Sequence, residues 1–144
     1  MNETLLNLHS YVAYLALGLL FLATVNAFIG MANKNLFKDK DLRLSLFTLI
    51  ICHTQLLLGL IVYFVSEKGF KAFAIEGAMK NPELRLTMLE HPLINVIALV
   101  LITIGWSKHK KQESNNGKFK KIAWFYAIGL VLILSRLPWS SWLN

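Results

Sequence analysis

The chain has one cysteine, three prolines and only eight acidic residues among its 144. A single thiol cannot close an intrachain disulfide, and Cys52 lies inside an apolar run, where a buried and inert side chain is expected. Charge is scarce overall. Asp, Glu, Lys and Arg make up 16% of the residues, against about 25% in soluble domains. They are missing altogether from Thr4 to Asn33 and from Leu44 to Ser66. No glycine-rich phosphate loop, nucleophile-and-base signature or zinc-ligand spacing is present. Met1 to Thr4 hold no basic cluster, and the apolar run behind them outlasts the core of a signal peptide, so the first helix is expected to stay in the mature protein.

What the chain has instead is apolar length, with 56% hydrophobic residues. A helix needs about 20 mostly apolar residues to cross a bilayer, and four stretches qualify, at about 5–31, 44–66, 91–107 and 122–138. The expected fold class is therefore an all-α integral membrane protein, an up-and-down four-transmembrane-helix bundle forming a single domain over residues 1–144. A short interfacial helix is expected at about 69–80, with Phe70, Phe73 and Ala74 on its apolar face. Asn81-Pro82-Glu83 reads as a helix start, with Asn81 as cap and Pro82 in the first position. The third helix then either runs on through His91 with a kink at Pro92, which has no amide hydrogen for Met88, or restarts at Pro92.

The net charge of +7 is a matter of topology and does not point to nucleic acid. Of the 15 Lys and Arg, ten fall in 34–43 and 108–121, and five in 67–90 and at Arg136. Positive charge marks the cytoplasmic side. Both termini and the 67–90 connection should then face outward from a bacterial-type cytoplasmic (inner) membrane. The lipid bilayer is the first partner, His109 should be solvated in a cytoplasmic loop, and Lys108 to Lys111 should touch anionic lipid heads.

Helical periodicity picks out the interior. At about 100° per residue, His9, Ala13, Ala16, Leu20, Ala23 and Ala27 form one stripe, and His91, Asn95, Ala98, Ile102 and Gly105 another. Ser45, Thr48, Cys52, Gln55, Gly59 and Ser66 fall within roughly 80° on the second span. Ionisable residues inside a membrane usually face a bundle interior or a functional site. In an up-and-down bundle the first and third helices are parallel and diagonal, so His9 and His91 can approach one planar cofactor from opposite sides. The expected cofactor is one haem b with His9 and His91 as its metal ligands. Gln55 and Asn95 would line its pocket, and Arg136 and Arg85 would pair with its propionates. His53 is the alternative ligand, but it lies off the inward stripe and about 10 Å deeper than His91 by helical rise, so contact with another helix or subunit suits it better.

The segments Leu8-His9-Ser10, His53-Thr54-Gln55-Leu56-Leu57-Leu58-Gly59, Met88-Leu89-Glu90-His91-Pro92 and Leu134-Ser135-Arg136-Leu137-Pro138-Trp139 resemble those of a family of small four-helix, cytochrome b-like membrane proteins. More distantly, the order His9, Gln55 with Leu58-Gly59, then His91 is similar to one half of haem A synthase. The chain departs from that enzyme in having Ser10 after its first histidine, where the enzyme usually has Arg, and only Glu3 upstream. The resemblance implies a haem pocket without the full oxidase-maturation chemistry. The expected function is that of a membrane b-type cytochrome passing electrons to a redox partner or to other subunits of a membrane complex, and not of an enzyme by itself. Two alternatives stand beside it: a haem-free accessory subunit of a larger membrane complex, and a quinol- or haem-modifying membrane enzyme.

Overall fold

The computed structural model describes residues 2–142, and every described regular element is helical. Helix α1 (Asn2–Ala32) and helix α2 (Asp39–Val65) are joined by a short connection. Two 3₁₀ turns, Phe70–Ala74 and Ala78–Lys80, stand where one interfacial helix was expected. They bury Ala72 and Ala78 while Phe70 and Phe73 stay exposed. Helix α3 (Pro82–Lys110) follows, then α4 (Asn115–Ser135) and the single turn α5 (Trp139–Trp142).

Three helices are long and apolar enough to cross a membrane: α1, α2 with the 3₁₀ turn after it, and α3. Helix α4 does not reach that standard. It opens with Lys118, Lys120 and Lys121, and its charge-free stretch of 14 residues, 122–135, rises only about 21 Å against a hydrocarbon layer of about 30 Å. It also ends sooner than the sequence suggested, because Arg136 leaves helical geometry at φ −129°. Pro138 follows two residues after this cap, a common place for proline because it cannot continue the helix.

Local chemistry sets the other boundaries. Residues 30–35 form a Schellman turn: the amide of Asn35 reaches Gly30 O at 2.9 Å, that of Lys34 reaches Met31 O at 3.3 Å, and Lys34 takes the left-handed position at φ 55°. At the start of α2, Asp41 accepts from the Lys38 amide at 2.9 Å and from Asn26 Nδ2 at 2.8 Å, tying the two helices together. Asn81 Oδ1 accepts from the amides of Glu83 and Leu84, as expected of a cap before Pro82.

Helix α3 is continuous through Pro92, but not as regular α-helix. Leu86–Glu90 form a π turn between α-helical Pro82–Arg85 and His91–Lys110. The cause is Pro92. Its ring crowds the carbonyl one turn back, at Met88, and it carries no N–H to satisfy that carbonyl. Widening the turn relieves the crowding and exposes Met88 O sideways, where Tyr63 Oη donates to it at 2.9 Å.

The long helices pack as a ring in which α1 touches α2 and α4, and α3 touches α4 and α2. Helices α1 and α3 therefore face each other across it. Small residues make close approach possible. Ala23 and Ala27 of α1 are buried with Ile102, Phe119, Ile122, Ala123 and Tyr126, and Gly129 of α4 leaves room for Ile102, whose Cγ1 would lie 2.6 Å from an added Cβ. Tyr126 crosses the core to donate to Ser45 O at 2.8 Å. Thr24, Ser45, Thr48 and Thr103 return their hydroxyl protons to carbonyls four residues back, so these helices carry polar side chains without orphaned donors.

Candidate functional site

At the end of the ring where α1 and α3 begin, the helices part around a cavity of about 430 Å³, within the usual size range of ligand sites. Among the polar residues that line it are His9 from α1, Gln55 from α2, and His91 and Asn95 from α3. The inner wall is apolar, with Ala16, Leu20, Leu56 and Leu99. Of the polar stripe on α2, Ser45 and Thr48 are buried in the packed core, whereas Cys52, Gln55, Gly59 and Ser66 line the cavity.

His91 is held on three sides. Its Nδ1 lies 2.9 Å from Arg136 O. A carbonyl can only accept, so Nδ1 carries the proton and Nε2 keeps its lone pair. Asn95 donates from Nδ2 to the His91 carbonyl and brings its amide to 3.2 Å from the ring. The Arg136 carbonyl is free because α4 ends there; the last carbonyls of a helix have no intrahelical partner.

His9 is held differently. Gln55 Nε2 donates to its main-chain oxygen at 2.9 Å. The ring lies over Gly59, where an added Cβ would come 3.0 Å from His9 Cε1. Two side-chain atoms of this pair, His9 Nδ1 and Gln55 Oε1, are buried with no hydrogen-bond partner. Buried polar atoms are nearly always paired, and these two are complementary: the Gln55 side chain interacts with the His9 ring, so they can satisfy one another or a third group in the cavity.

The other expected site residues lie elsewhere. Neither Arg85 nor Arg136 lines the cavity. Arg85 Nε bonds Glu90 at 2.8 Å and Arg136 Nε lies 3.6 Å from the same carboxylate, so one acid engages both guanidinium groups. Both arginines thus carry a protein counter-ion, Glu90, in this structure. The cation at the cavity is Lys68, which forms no ion pair among the described residues. His53 is exposed on the outer side of α2, and its Nδ1 meets Leu49 O at 2.8 Å within its own helix. His109, expected in solvent, is instead 1% exposed, packed on Phe37 and Trp106 and bonded through Nδ1 to the Trp106 carbonyl.

Two residues that the sequence left outside the site belong to it. Tyr63 lines the cavity and steadies the π turn that leads into His91; the only signal for it was the carbonyl orphaned by Pro92. Trp142 also reaches the cavity, stacking on Tyr14 at 4.7 Å between ring centroids and donating from Nε1 to Ser10 Oγ. Its position suggested only an interfacial indole.

Among the described residues, no group of three or more His, Cys, Asp or Glu converges as it would around a bare metal ion. No family model, curated protein or solved structure matches the chain.

Proposed function

We propose that this chain is a bacterial-type inner-membrane protein with four crossings, an up-and-down bundle that holds one haem b between His9 and His91 and passes electrons. The observation that carries this reading is that imidazoles from two helices on opposite sides of the ring face one largely apolar cavity. The donor set fits the group. Two imidazoles are too few to hold a bare ion, but a haem brings its own nitrogens to the metal and asks the protein only for axial ligands. His91 has its Nδ1 proton fixed by a main-chain carbonyl, the arrangement typical of a ligating histidine. His9 keeps a buried ring nitrogen without a partner.

When bound, the haem supplies a one-electron couple. The chain's own residues orient and insulate it. Arg136 O sets the His91 ring, Asn95 ties down the His91 main-chain carbonyl, Gly59 gives the His9 ring its seat, and Leu20, Leu56 and Leu99 exclude water. Lys68 stands where an acidic substituent of the ligand would meet the aqueous edge. His9 and His91 would hold the group, and with both ligands supplied by the protein small molecules would be kept off its metal, which would favour electron transfer. The basic connections that precede α2 and α4 face the cytoplasm, and the 67–90 connection and both termini face outward.

The test is a dithionite-reduced minus oxidised spectrum of protein purified in mild detergent, with His9→Ala, His91→Ala and His53→Ala alongside. Sharp low-spin b-type bands should be lost in the first two variants and kept in the third. Well-folded protein expressed with ample haem and showing no such bands would overturn the cytochrome reading and leave a haem-free accessory subunit. A second reading, as a quinol-modifying enzyme, draws on the orphaned Gln55 Oε1, which could accept from a hydroquinone hydroxyl; turnover with a quinol would favour it.

A further inference from the structure

The opposite end of the molecule carries a second cavity, of about 450 Å³, unrelated to the histidines. It lies at the turn between α1 and α2, and three lysines, Lys34, Lys38 and Lys40, border it. None of the three forms an ion pair among the described residues, and all are exposed. The one acid in the wall, Asp41, is 3% exposed, and its two oxygens are taken by Asn26 Nδ2 and the Lys38 amide. Its charge is thus turned inward and solvated by the protein, while three ammonium groups face the cavity without counter-ions.

Shape and setting narrow the choice of anion. The cavity lies at the boundary where α1 ends and α2 begins, both helices being long and apolar enough to cross a membrane. Leu36, on its rim, is 62% exposed, and Phe119 closes its floor. An exposed leucine beside three lysines suits a ligand that is anionic at one end and apolar at the other. Basic pockets between membrane helices commonly take lipid headgroups.

We infer that Lys34, Lys38 and Lys40 form a binding site for the phosphate of an anionic phospholipid, with Leu36 against its acyl chain. The turn is held for this role from two directions. The Schellman geometry of residues 30–35 aims Lys34, and the Phe37 amide donates to Asn115 Oδ1 at 2.9 Å, which fixes the connection against the start of α4. This inference does not depend on the haem reading.

The test measures retention of phosphatidylglycerol by native mass spectrometry of the full chain in detergent, with phosphatidylcholine and inorganic phosphate as comparison ligands. The variants are Lys34→Asn, Lys38→Gln and Lys40→Gln combined, and a control combining Lys71→Gln, Lys80→Gln and Lys120→Gln. Each site lysine should contribute about fivefold, so the site variant should bind about a hundredfold more weakly, with the control close to the parent. Because the three site lysines are exposed and form no ion pair among the described residues, circular dichroism should show unchanged helix content, and Leu36→Gln should weaken retention by itself. Equal losses in the site and control variants would overturn the proposal in favour of diffuse charge attraction. Undiminished retention in the site variant, or equal protection by inorganic phosphate, would also overturn it.

Discussion

Replacing Tyr63 with Phe should test how α3 tolerates Pro92. In the structure the Met88 carbonyl is served by the Tyr63 hydroxyl because the residue one turn on has no N–H to offer. Met88 is 0% exposed, so water cannot replace the lost donor. A buried carbonyl left without a partner costs about 1–3 kcal/mol, and Tyr63→Phe should destabilise the protein by that amount. Pro92→Ala restores an amide within reach of Met88 O, so the same Tyr63→Phe change made in the Pro92→Ala background should cost much less. The assay is a double-mutant cycle on unfolding in detergent, followed by helix content, with an expected coupling of about 1–2 kcal/mol. Equal cost of Tyr63→Phe in both backgrounds would refute the account of the π turn as a response to proline. The site gives a second reading of the cycle: because the turn leads into His91, Tyr63→Phe should also broaden or shift the low-spin bands of haem-loaded protein.

Two further substitutions bear on packing. Gly59→Val should displace the His9 ring, because even a bare Cβ there would lie 3.0 Å from His9 Cε1; the expected result is weakened haem bands with unchanged helix content, and unchanged bands would remove Gly59 from the site. Gly129→Ala should cost about 1–3 kcal/mol as an overpacking change, since the new methyl meets the Ile102 side chain, and thermal unfolding in detergent measures it.

Much of the interior was legible because helical periodicity needs only residue order. The small and polar stripe of α2 turned inward, Ala16, Ala23 and Ala27 of α1 are buried, and His9, Gln55, His91 and Asn95 line one cavity. What periodicity cannot give is competition between side chains. Arg85 and Arg136 were assigned to a ligand's acids, but Glu90 lies between them and takes both. His109 looked solvated amid lysines, yet Phe37 folds back from the first connection to bury it. Both outcomes depend on contacts between segments far apart in the chain. The π turn was hidden for another reason. Proline announces a disturbed helix, but whether it kinks, restarts or widens depends on the neighbour that can reach the orphaned carbonyl, and that neighbour is on α2.

The early end of α4 links two requirements that look separate. A helix continuing past Ser135 would gain length toward a full crossing, but it would spend the Arg136 carbonyl on its own next turn. His91 would then lose the acceptor that fixes which of its nitrogens carries the proton. The shortness of the last long helix is thus a condition for a correctly presented imidazole on a different helix. Pro138, two residues past that cap, keeps the chain from resuming the helix that would claim the carbonyl.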